Sequence, residues 1–371
     1  MKIGIITHHW VPNFGANLQA LATVSILNKL GHEPVIINYR PKLLVEKYKQ
    51  SISSSQYNIH EEYLNEFLPQ TEVCSNAKEV KEINEKHNFD YLISGSDAVF
   101  RLDYELNRED TTFPNPFWLT FADNHQKRMF FSVSSMGSDY SVLSKKIKRE
   151  ITQILKSSKV FVRDLWTSSE LKKLDSTLKI NQSVDPVFLL HKYFAIPNKF
   201  KTKISDEKYI LINLYGNLLS DKWIKSFVET ANSNGYKVYL FPNPENNEAG
   251  KEFVNDVIDI PIHPLKWYSI LKNSSGYIGV RFHPIVTAIS NHVPFLAIDT
   301  YQRSIFNRKS SKTYDICKKV DATKYCIGPI RRRLLTPKRA LKIMLENKVN
   351  FQKIDSEIEK IENIFKPISR N

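Results

Sequence analysis

Short apolar segments alternate with helix-like segments from the start of the chain, and this rhythm constrains the fold more than any other feature. Residues 3–6 predict a buried strand, residues 17–30 a helix, and residues 34–39 the next strand. Gly31 follows the helix, where a left-handed C-cap residue is expected. A strand–helix–strand unit with connections this short favours a parallel sheet, so we expect an α/β fold.

The same rhythm starts again after a lysine-rich stretch. Residues 209–214 and 236–241 predict two strands with a helix between them. A chain of 371 residues is longer than one hydrophobic core usually serves. We therefore predict two Rossmann-like domains that face each other across a cleft. The predicted segments are an N-terminal domain (1–190), a linker (191–207), a C-terminal domain (208–335) and a C-terminal helical segment (336–371).

The composition is basic, because 53 lysines and arginines exceed 39 acidic residues and give a formal charge of +14. Such an excess favours anionic partners. The cations are spread along the chain, and the sequence has neither zinc-finger spacing nor an RNA-recognition motif, so no nucleic-acid partner is expected. The arginine cluster at residues 331–333 fits contact with an anionic membrane surface, or else the solvated start of a helix.

The sequence predicts neither a signal peptide nor a membrane span. The apolar run at residues 3–6 is too short for a signal peptide. No stretch approaches the roughly 20 apolar residues that a spanning helix needs. We therefore expect a cytoplasmic protein, with peripheral contact at the inner face of the membrane as a further expectation.

Neither a metal site nor a disulfide framework is expected. The cysteines Cys74, Cys317 and Cys326 are odd in number, and none lies in a Cys-x-x-Cys pair. His8 and His9 are neighbours, but adjacent side chains of an extended segment diverge. We predict free thiols and no metal.

The most informative short segment contains Arg281 and His283. If residues 277–281 form a strand that stays extended to His283, these two side chains point to the same side. A helix is predicted to begin directly afterwards, and its N-terminus adds partial positive charge. This arrangement fits a small anion such as a phosphate or a carboxylate. The alternative is a solvated arginine beside a helix-capping histidine.

The loop after the first predicted strand holds a second group of candidates. Open parallel sheets bind ligands at the carboxyl ends of their strands. Gly15 allows close approach of the backbone to a ligand. The amides of Asn13, Asn17 and Gln19 suit sugar hydroxyls, although turn and cap chemistry would equally explain Asn13 and Asn17. The loop is not a dinucleotide-binding fingerprint.

Two further strand ends carry charged side chains. Gly95, Ser96 and Asp97 follow a predicted strand, and the carboxylate of Asp97 can accept a hydroxyl proton or bind a sugar diol. The alternative for Asp97 is a turn or a helix cap. Arg163 ends another apolar run and can bind a carboxylate or phosphate through two hydrogen bonds. Its structural alternative is a contact with an aspartate.

Taken in order, these segments resemble the polysaccharide pyruvyl transferase family. The order and spacing of the motifs over residues 3–300 carry the resemblance, since each motif alone is short. The matching motifs are Asn13–Gly15, Gly95–Asp97, Ser135–Gly137, Arg163–Asp164, Asp185–Pro186 and Arg281–His283. The chain departs from the family pattern at Ala16, Ala98, Phe100 and Pro284.

The resemblance implies a GT-B-like architecture with the acceptor on the N-terminal side and the donor on the C-terminal side. It implies phosphoenolpyruvate as donor and co-substrate, with no other cofactor. The implied product is a pyruvate ketal on a sugar of a polysaccharide or a lipid-linked glycan precursor. Arg163, Arg281 and His283 are implied as the donor-binding set, and His283 would be the general acid or a phosphate ligand.

Two other functions remain open at this stage. A GT-B glycosyltransferase in cell-surface glycan synthesis would use a sugar nucleotide, with Asp299 a candidate for holding its ribose. A non-enzymatic assembly partner at the membrane surface would use the arginine cluster at residues 331–333.

Overall fold

A computed structural model of the chain describes residues 1–245, 249–300, 311–347 and 349–368. The chain divides into two compact units. The first unit contains residues 1–12, 16–193 and 359–371, and the second contains residues 13–15 and 194–358. The first unit therefore includes the end of the C-terminal segment, which the sequence alone did not indicate.

The first unit is a parallel sheet with helices packed around it. Its strand order among the described residues is β2-β1-β3-β4-β5-β6, and each neighbouring pair is parallel. The elements are β1 (Lys2–Ile6), α1 (Phe14–Lys29), β2 (Glu33–Ile36), α2 (Lys42–Ser51), α3 (Ser54–Phe67), α4 (Ala77–His87), β3 (Tyr91–Ser94), β4 (Lys127–Val133), α5 (Lys145–Lys156), β5 (Lys159–Val162), α6 (Leu165–Leu174), β6 (Ile180–Gln182) and α7 (Leu190–Tyr193).

The second unit repeats this architecture. Its strand order among the described residues is β12-β11-β10-β7-β8-β9, again parallel throughout. The elements are β7 (Tyr209–Asn213), α8 (Asp221–Ser233), β8 (Lys237–Leu240), β9 (Asp256–Val257), α9 (Pro264–Lys272), β10 (Gly276–Gly279), α10 (Phe282–Ser290), β11 (Phe295–Ile298), α11 (Lys312–Lys319), β12 (Cys326–Ile327), α12 (Pro329–Arg333), α13 (Pro337–Leu345) and α14 (Phe351–Phe365).

These sheets confirm the predicted α/β class with two Rossmann-like halves. The central strands are buried from end to end, as expected for a parallel sheet covered by helices on both faces. Gly31 adopts a φ of +79°, which confirms its predicted role as a left-handed C-cap.

The last helix links the two units. Residues of α14 up to Ile358 group with the second unit, and those from Glu359 onward group with the first. Phe365 is buried, and its ring meets that of Phe131 on β4 at a centroid distance of 4.7 Å. The first unit thus takes part of its core from the far end of the chain.

Candidate functional site

Each sheet has a position where the strand order reverses, and such switch points are where open α/β sheets bind ligands. In the first unit the chain passes from β1 to β2 on one side and later to β3 on the other. His8 and Asp97 follow β1 and β3 at this point. In the second unit β7 and β10 flank the switch point, and Tyr215 and Arg281 follow them.

The turn after β3 has a backbone that few residues adopt. Gly95 has a φ of +115°, and an added Cβ would lie 2.1 Å from the carbonyl oxygen of Phe131. Only glycine fits there. Asp97 itself has a φ of +86°, a left-handed conformation that is strained for a residue with a side chain. Strain of this kind concentrates at functional sites, because the surrounding structure must enforce it.

Gln19 holds this turn in place. Its Nε2 donates to Thr7 Oγ1 and to the carbonyl of Ala16, each at 3.0 Å, and its Oε1 accepts the backbone N–H of Ser96 at 3.1 Å. Thr7 in turn donates its hydroxyl to the carbonyl oxygen of Ser96 at 2.7 Å. A fully buried side chain with these partners ties β1, α1 and the Gly95–Asp97 turn together.

Asn17 is likewise committed to the protein interior. Its Nδ2 donates to the carbonyls of His9 and Val11, and its Oδ1 lies 2.6 Å from His60 Nδ1. The sequence predicts that Asn17 and Gln19 bind sugar hydroxyls. In the structure both side chains are fully buried and hydrogen-bonded within the protein, so they shape the loop instead.

Arg163 is the centre of a buried ion-pair network. Its Nη2 donates to Asp97 Oδ1 and its Nη1 to Asp185 Oδ2, each at 2.8 Å. The side chains of Arg163 and Asp185 are 2% and 0% exposed. Burial alone would lower the pKa of Arg163, but the charges of Asp97 and Asp185 outweigh it and raise that pKa. The guanidinium therefore stays charged and fixes the Asp97 carboxylate.

The structural alternative for Arg163, an ion pair with an aspartate, is confirmed, but the partners are Asp97 and Asp185 rather than the neighbouring Asp164. Asp164 instead caps the N-terminus of α6, where its Oδ1 accepts the backbone N–H of Thr167 at 2.8 Å. The partners of Arg163 lie 66 and 22 residues away in sequence, at Asp97 and Asp185. Pairs so distant along the chain leave no local signal.

The adjacent histidines diverge, as predicted. His9 is fully buried, with Nε2 at 3.1 Å from Asn38 Oδ1 and Nδ1 at 3.1 Å from the carbonyl of Thr7. The ring of His8 instead lies 4.5 Å from that of Phe117. Burial lowers the pKa of His8, against the opposing charges of Asp97 and Asp110. His8 is thus a neutral imidazole whose pKa is also affected by the charge of Asp97.

His9 gives the first unit an expected pH dependence. Burial lowers its pKa from 6.5 to about 4. Because the unfolded chain binds the proton more readily, the stability that neutral His9 contributes is complete above pH 6.5 and is lost as pH falls toward about 4. We expect a decrease of about 3 kcal/mol in the free energy of unfolding over this window. Urea titrations of the wild type and of His9→Gln measure it.

Carboxylates also titrate in this window, so the comparison between the two proteins carries the test. The His9→Gln variant is expected to be less stable at neutral pH but to lose less stability on acidification. Parallel pH profiles for the two proteins would contradict the assignment.

In the second unit the geometry of the Arg-x-His segment differs from its prediction. β10 ends at Gly279, so Arg281 is not in a strand; it is the N-cap residue of α10, and His283 is the second helical residue. Pro284 suits this first helical turn, since its missing N–H is not needed there. The two side chains therefore flank a helix N-terminus rather than one side of a strand.

Arg281 remains accessible there, with its side chain 33% exposed. Its guanidinium lies over the ring of Tyr215 at 5.1 Å, and Nη2 is 3.3 Å from Glu245 Oε2. A stacked ring and one exposed carboxylate orient the guanidinium without enclosing it. This contrasts with Arg163, whose two ion pairs are buried.

Gly15 groups with the second unit and lies against His283. An added Cβ at Gly15 would come within 1.9 Å of Cγ and 2.1 Å of Nδ1 of the His283 ring. Glycine is therefore required for the imidazole to occupy its position. Next to it, Phe14 stacks on Trp267 at 5.0 Å, and Asn13 is half-buried in the same segment.

The predicted site residues thus form two groups. One lies in the first unit and joins Asp97 and Arg163 to Gly95, Ser96 and Gln19, whereas Asn17 of the same unit has other partners. The other lies in the second unit and joins Arg281, His283, Gly15 and Asn13. The sequence indicated no role for Tyr215 or Glu245, and it raised His8 only as a metal ligand. His8 and Tyr215 nevertheless each follow a strand at a switch point.

Comparisons with known proteins agree with this architecture. A family model described as polysaccharide pyruvyl transferase matches residues 13–301, more than half of the chain. A comparison with curated protein sequences finds no match.

Solved structures share the fold at low sequence identity. A putative UDP-N-acetylglucosamine 2-epimerase from Listeria monocytogenes has 12% identity and a TM-score of 0.56, covering 96% of this chain and 90% of its own. The UDP-GlcNAc 2-epimerase from Methanocaldococcus jannaschii has 15% identity and a TM-score of 0.56, with 94% of each chain covered. The MnaA–UDP complex from S. aureus has 12% identity and a TM-score of 0.51, covering 96% of this chain and 90% of its own. The fold is therefore the two-domain, GT-B-like one that the sequence predicts.

Proposed function

Because the chain belongs to the polysaccharide pyruvyl transferase family, we propose that it uses phosphoenolpyruvate to form a pyruvate ketal on a sugar. The sugar would belong to a polysaccharide or to a lipid-linked glycan precursor. Two of its hydroxyls add to C2 of the pyruvyl group, and inorganic phosphate is released. The reaction needs a binding site for a small, highly charged anion and a second site that activates hydroxyls.

The observation that carries the proposal is the accessible guanidinium of Arg281 at the switch point of the second unit. Arg281 is the N-cap residue of α10 after β10, with its guanidinium oriented by Tyr215 and its side chain 33% exposed. The helix N-terminus behind it offers backbone N–H groups and partial positive charge. Phosphoenolpyruvate carries a phosphate and a carboxylate on three carbons. A guanidinium suits either group, because it forms two parallel hydrogen bonds.

His283 is the proton donor of this group. Transfer begins when a proton reaches the methylene carbon of phosphoenolpyruvate, which makes C2 electrophilic. The first sugar hydroxyl then forms a bond to C2 and loses its proton, and the bond from C2 to the phosphate oxygen breaks. The second hydroxyl then forms the other bond to C2 and loses its proton, which closes the ring. An imidazole near neutral pH can supply the first proton or protonate the leaving phosphate.

We assign the acceptor to the first unit. Asp97 lies at the switch point with 18% of its side chain exposed, and Arg163 fixes its carboxylate. Burial lowers the pKa of His8, so this imidazole is neutral and able to accept a hydroxyl proton. Asp97 and His8 are therefore the proposed acceptors of the sugar's protons, and Arg163 is a positioning residue.

Binding of phosphoenolpyruvate tests the proposal without knowledge of the acceptor. We expect calorimetry to detect phosphoenolpyruvate binding to the wild type. The Arg281→Gln variant is expected to bind it about 10- to 100-fold more weakly, since a charged hydrogen-bond partner is lost. Lys237→Gln is the matched control. It removes one exposed positive charge at the start of β8, at the amino-terminal ends of the strands of the same sheet.

A panel of sugar nucleotides separates this function from glycosyl transfer. Thermal shifts with UDP, GDP and CMP sugars are expected to be smaller than the shift with phosphoenolpyruvate. Asp299, the candidate for holding a ribose, is only 3% exposed at the end of β11. A sugar nucleotide that stabilises the protein while phosphoenolpyruvate does not would overturn the proposal.

A further inference from the structure

Helix α12 presents two large apolar side chains to solvent. Ile330 is 78% exposed and Leu334 is 71% exposed. They are four residues apart, so they project from the same side of the helix and its C-cap. Isolated exposed apolar residues are common, whereas two on one side of a helix form a small apolar patch.

Cations surround this apolar pair. Arg331 and Arg333 lie between Ile330 and Leu334 and are exposed. Exposed Lys324, Lys338 and Arg339 lie close by in sequence, and the stretch from residue 324 to residue 345 contains neither aspartate nor glutamate. A face that combines exposed apolar side chains with uncompensated positive charge complements an anionic lipid surface, where acyl chains lie beneath acidic headgroups.

Burial and hydrogen bonds anchor the chain directly after this surface. Leu335, the residue after the pair, is buried, and its carbonyl accepts the indole N–H of Trp223 on α8 at 2.6 Å. Thr336 then caps α13, where its hydroxyl accepts the backbone N–H of Arg339. A fixed presentation lowers the entropy lost on docking.

The position of α12 relates it to the candidate donor site. Gly328 follows the carboxyl end of β12, and Arg281 follows the carboxyl end of the parallel strand β10. Only β11 separates these two parallel strands, so their ends are roughly 10 Å apart across the sheet. A membrane bound at α12 would therefore lie at the edge of the unit that carries Arg281 and His283.

We propose that α12 is a peripheral membrane-docking surface, in which Ile330 and Leu334 enter the headgroup region while Arg331 and Arg333 bind anionic lipids. The occupant is an anionic bilayer. No helix within the described ranges combines the length and apolar character needed to cross a bilayer, so contact through this surface would be peripheral. The inference is independent of the chemistry of pyruvyl transfer.

Sedimentation with vesicles tests the inference on the full chain. We expect binding to vesicles of phosphatidylglycerol and phosphatidylcholine, little binding to phosphatidylcholine alone, and weaker binding at high salt. Arg331→Gln/Arg333→Gln is expected to weaken binding about 30-fold. Ile330→Ser/Leu334→Ser is expected to weaken it about tenfold or more.

Two matched variants control for vesicle binding that depends on the overall composition of the chain rather than on α12. Lys208→Gln/Lys237→Gln removes two exposed positive charges at the amino-terminal ends of β7 and β8, whereas α12 follows the carboxyl end of β12. Val73→Ser/Leu106→Ser removes two exposed apolar side chains that lie beside Glu72 and Glu105. Both variants are expected to bind vesicles like the wild type.

Three results would overturn the inference. The first is equal binding to neutral and anionic vesicles, and the second is an equal loss in the α12 variants and their controls. The third is unchanged vesicle binding by Ile330→Ser/Leu334→Ser, which would show that the apolar pair does not enter the headgroup region. All four variants change exposed residues, and their circular dichroism should match that of the wild type.

Discussion

Replacing Gly15 with alanine is expected to lower the rate of pyruvyl transfer about 100- to 1000-fold. The added methyl group would lie 1.9 Å from Cγ of His283 and 2.1 Å from its Nδ1, so the imidazole must leave its position. Loss of one well-placed proton donor typically costs a rate factor of this size. Phosphate release from phosphoenolpyruvate, with a lipid-linked glycan precursor as acceptor, measures the effect.

Gly328→Ala is the control for this variant. An added Cβ at Gly328 meets no atom within 4 Å, and its φ of −77° is one that alanine adopts readily. This variant should retain wild-type turnover.

A double-mutant comparison separates displacement of His283 from other damage. If Gly15→Ala acts through His283, adding it to His283→Ala should cause little further loss, because the proton donor is already absent. Full activity of Gly15→Ala, or additive losses in the double variant, would show that His283 does not act from its position against Gly15.

Replacing Arg163 with alanine is expected to destabilise the first unit by about 3–5 kcal/mol. The side chain of Asp185 is 0% exposed, so its carboxylate would keep a buried negative charge without its cation. Urea unfolding followed by tryptophan fluorescence measures the loss, since Trp118 lies in the core of the same unit.

Two further variants identify the cause of that loss. Arg101→Ala removes a comparable contact with Asp103 that is partly exposed, and it should cost at most about 1 kcal/mol. Arg163→Met/Asp185→Leu removes the buried charge together with its partner and should recover part of the stability. Stability of Arg163→Ala close to that of the wild type would mean that the carboxylates do not depend on this guanidinium.

Much of the fold could be predicted from the sequence because the central strands are continuous apolar runs. Residues 209–214 and 294–298 suit the interior of a covered parallel sheet, and they contain β7 and β11. The edge strands β6, β9 and β12 were missed. Each has two or three residues, and β6 and β9 include polar side chains, so no periodic pattern could mark them.

The candidate site was harder to predict, because its geometry depends on where elements end. A strand two residues too long placed Arg281 and His283 on one side of an extended chain, whereas the strand stops at Gly279. Pro284 was the available signal for the helix start. The amides of Asn17 and Gln19 suit a sugar in isolation, and only the folded loop shows that backbone groups already occupy them.

The path of α14 determines how the gene can be divided. A fragment that stops at residue 193 contains all six strands of the first sheet, yet it lacks Phe365, Ile361 and Ile368, which are buried in the intact protein. Without Phe365 the ring of Phe131 loses this aromatic contact. Neither half of this protein is therefore encoded by one uninterrupted stretch, and any dissection that aims for a folded N-terminal piece must graft the tail back onto it.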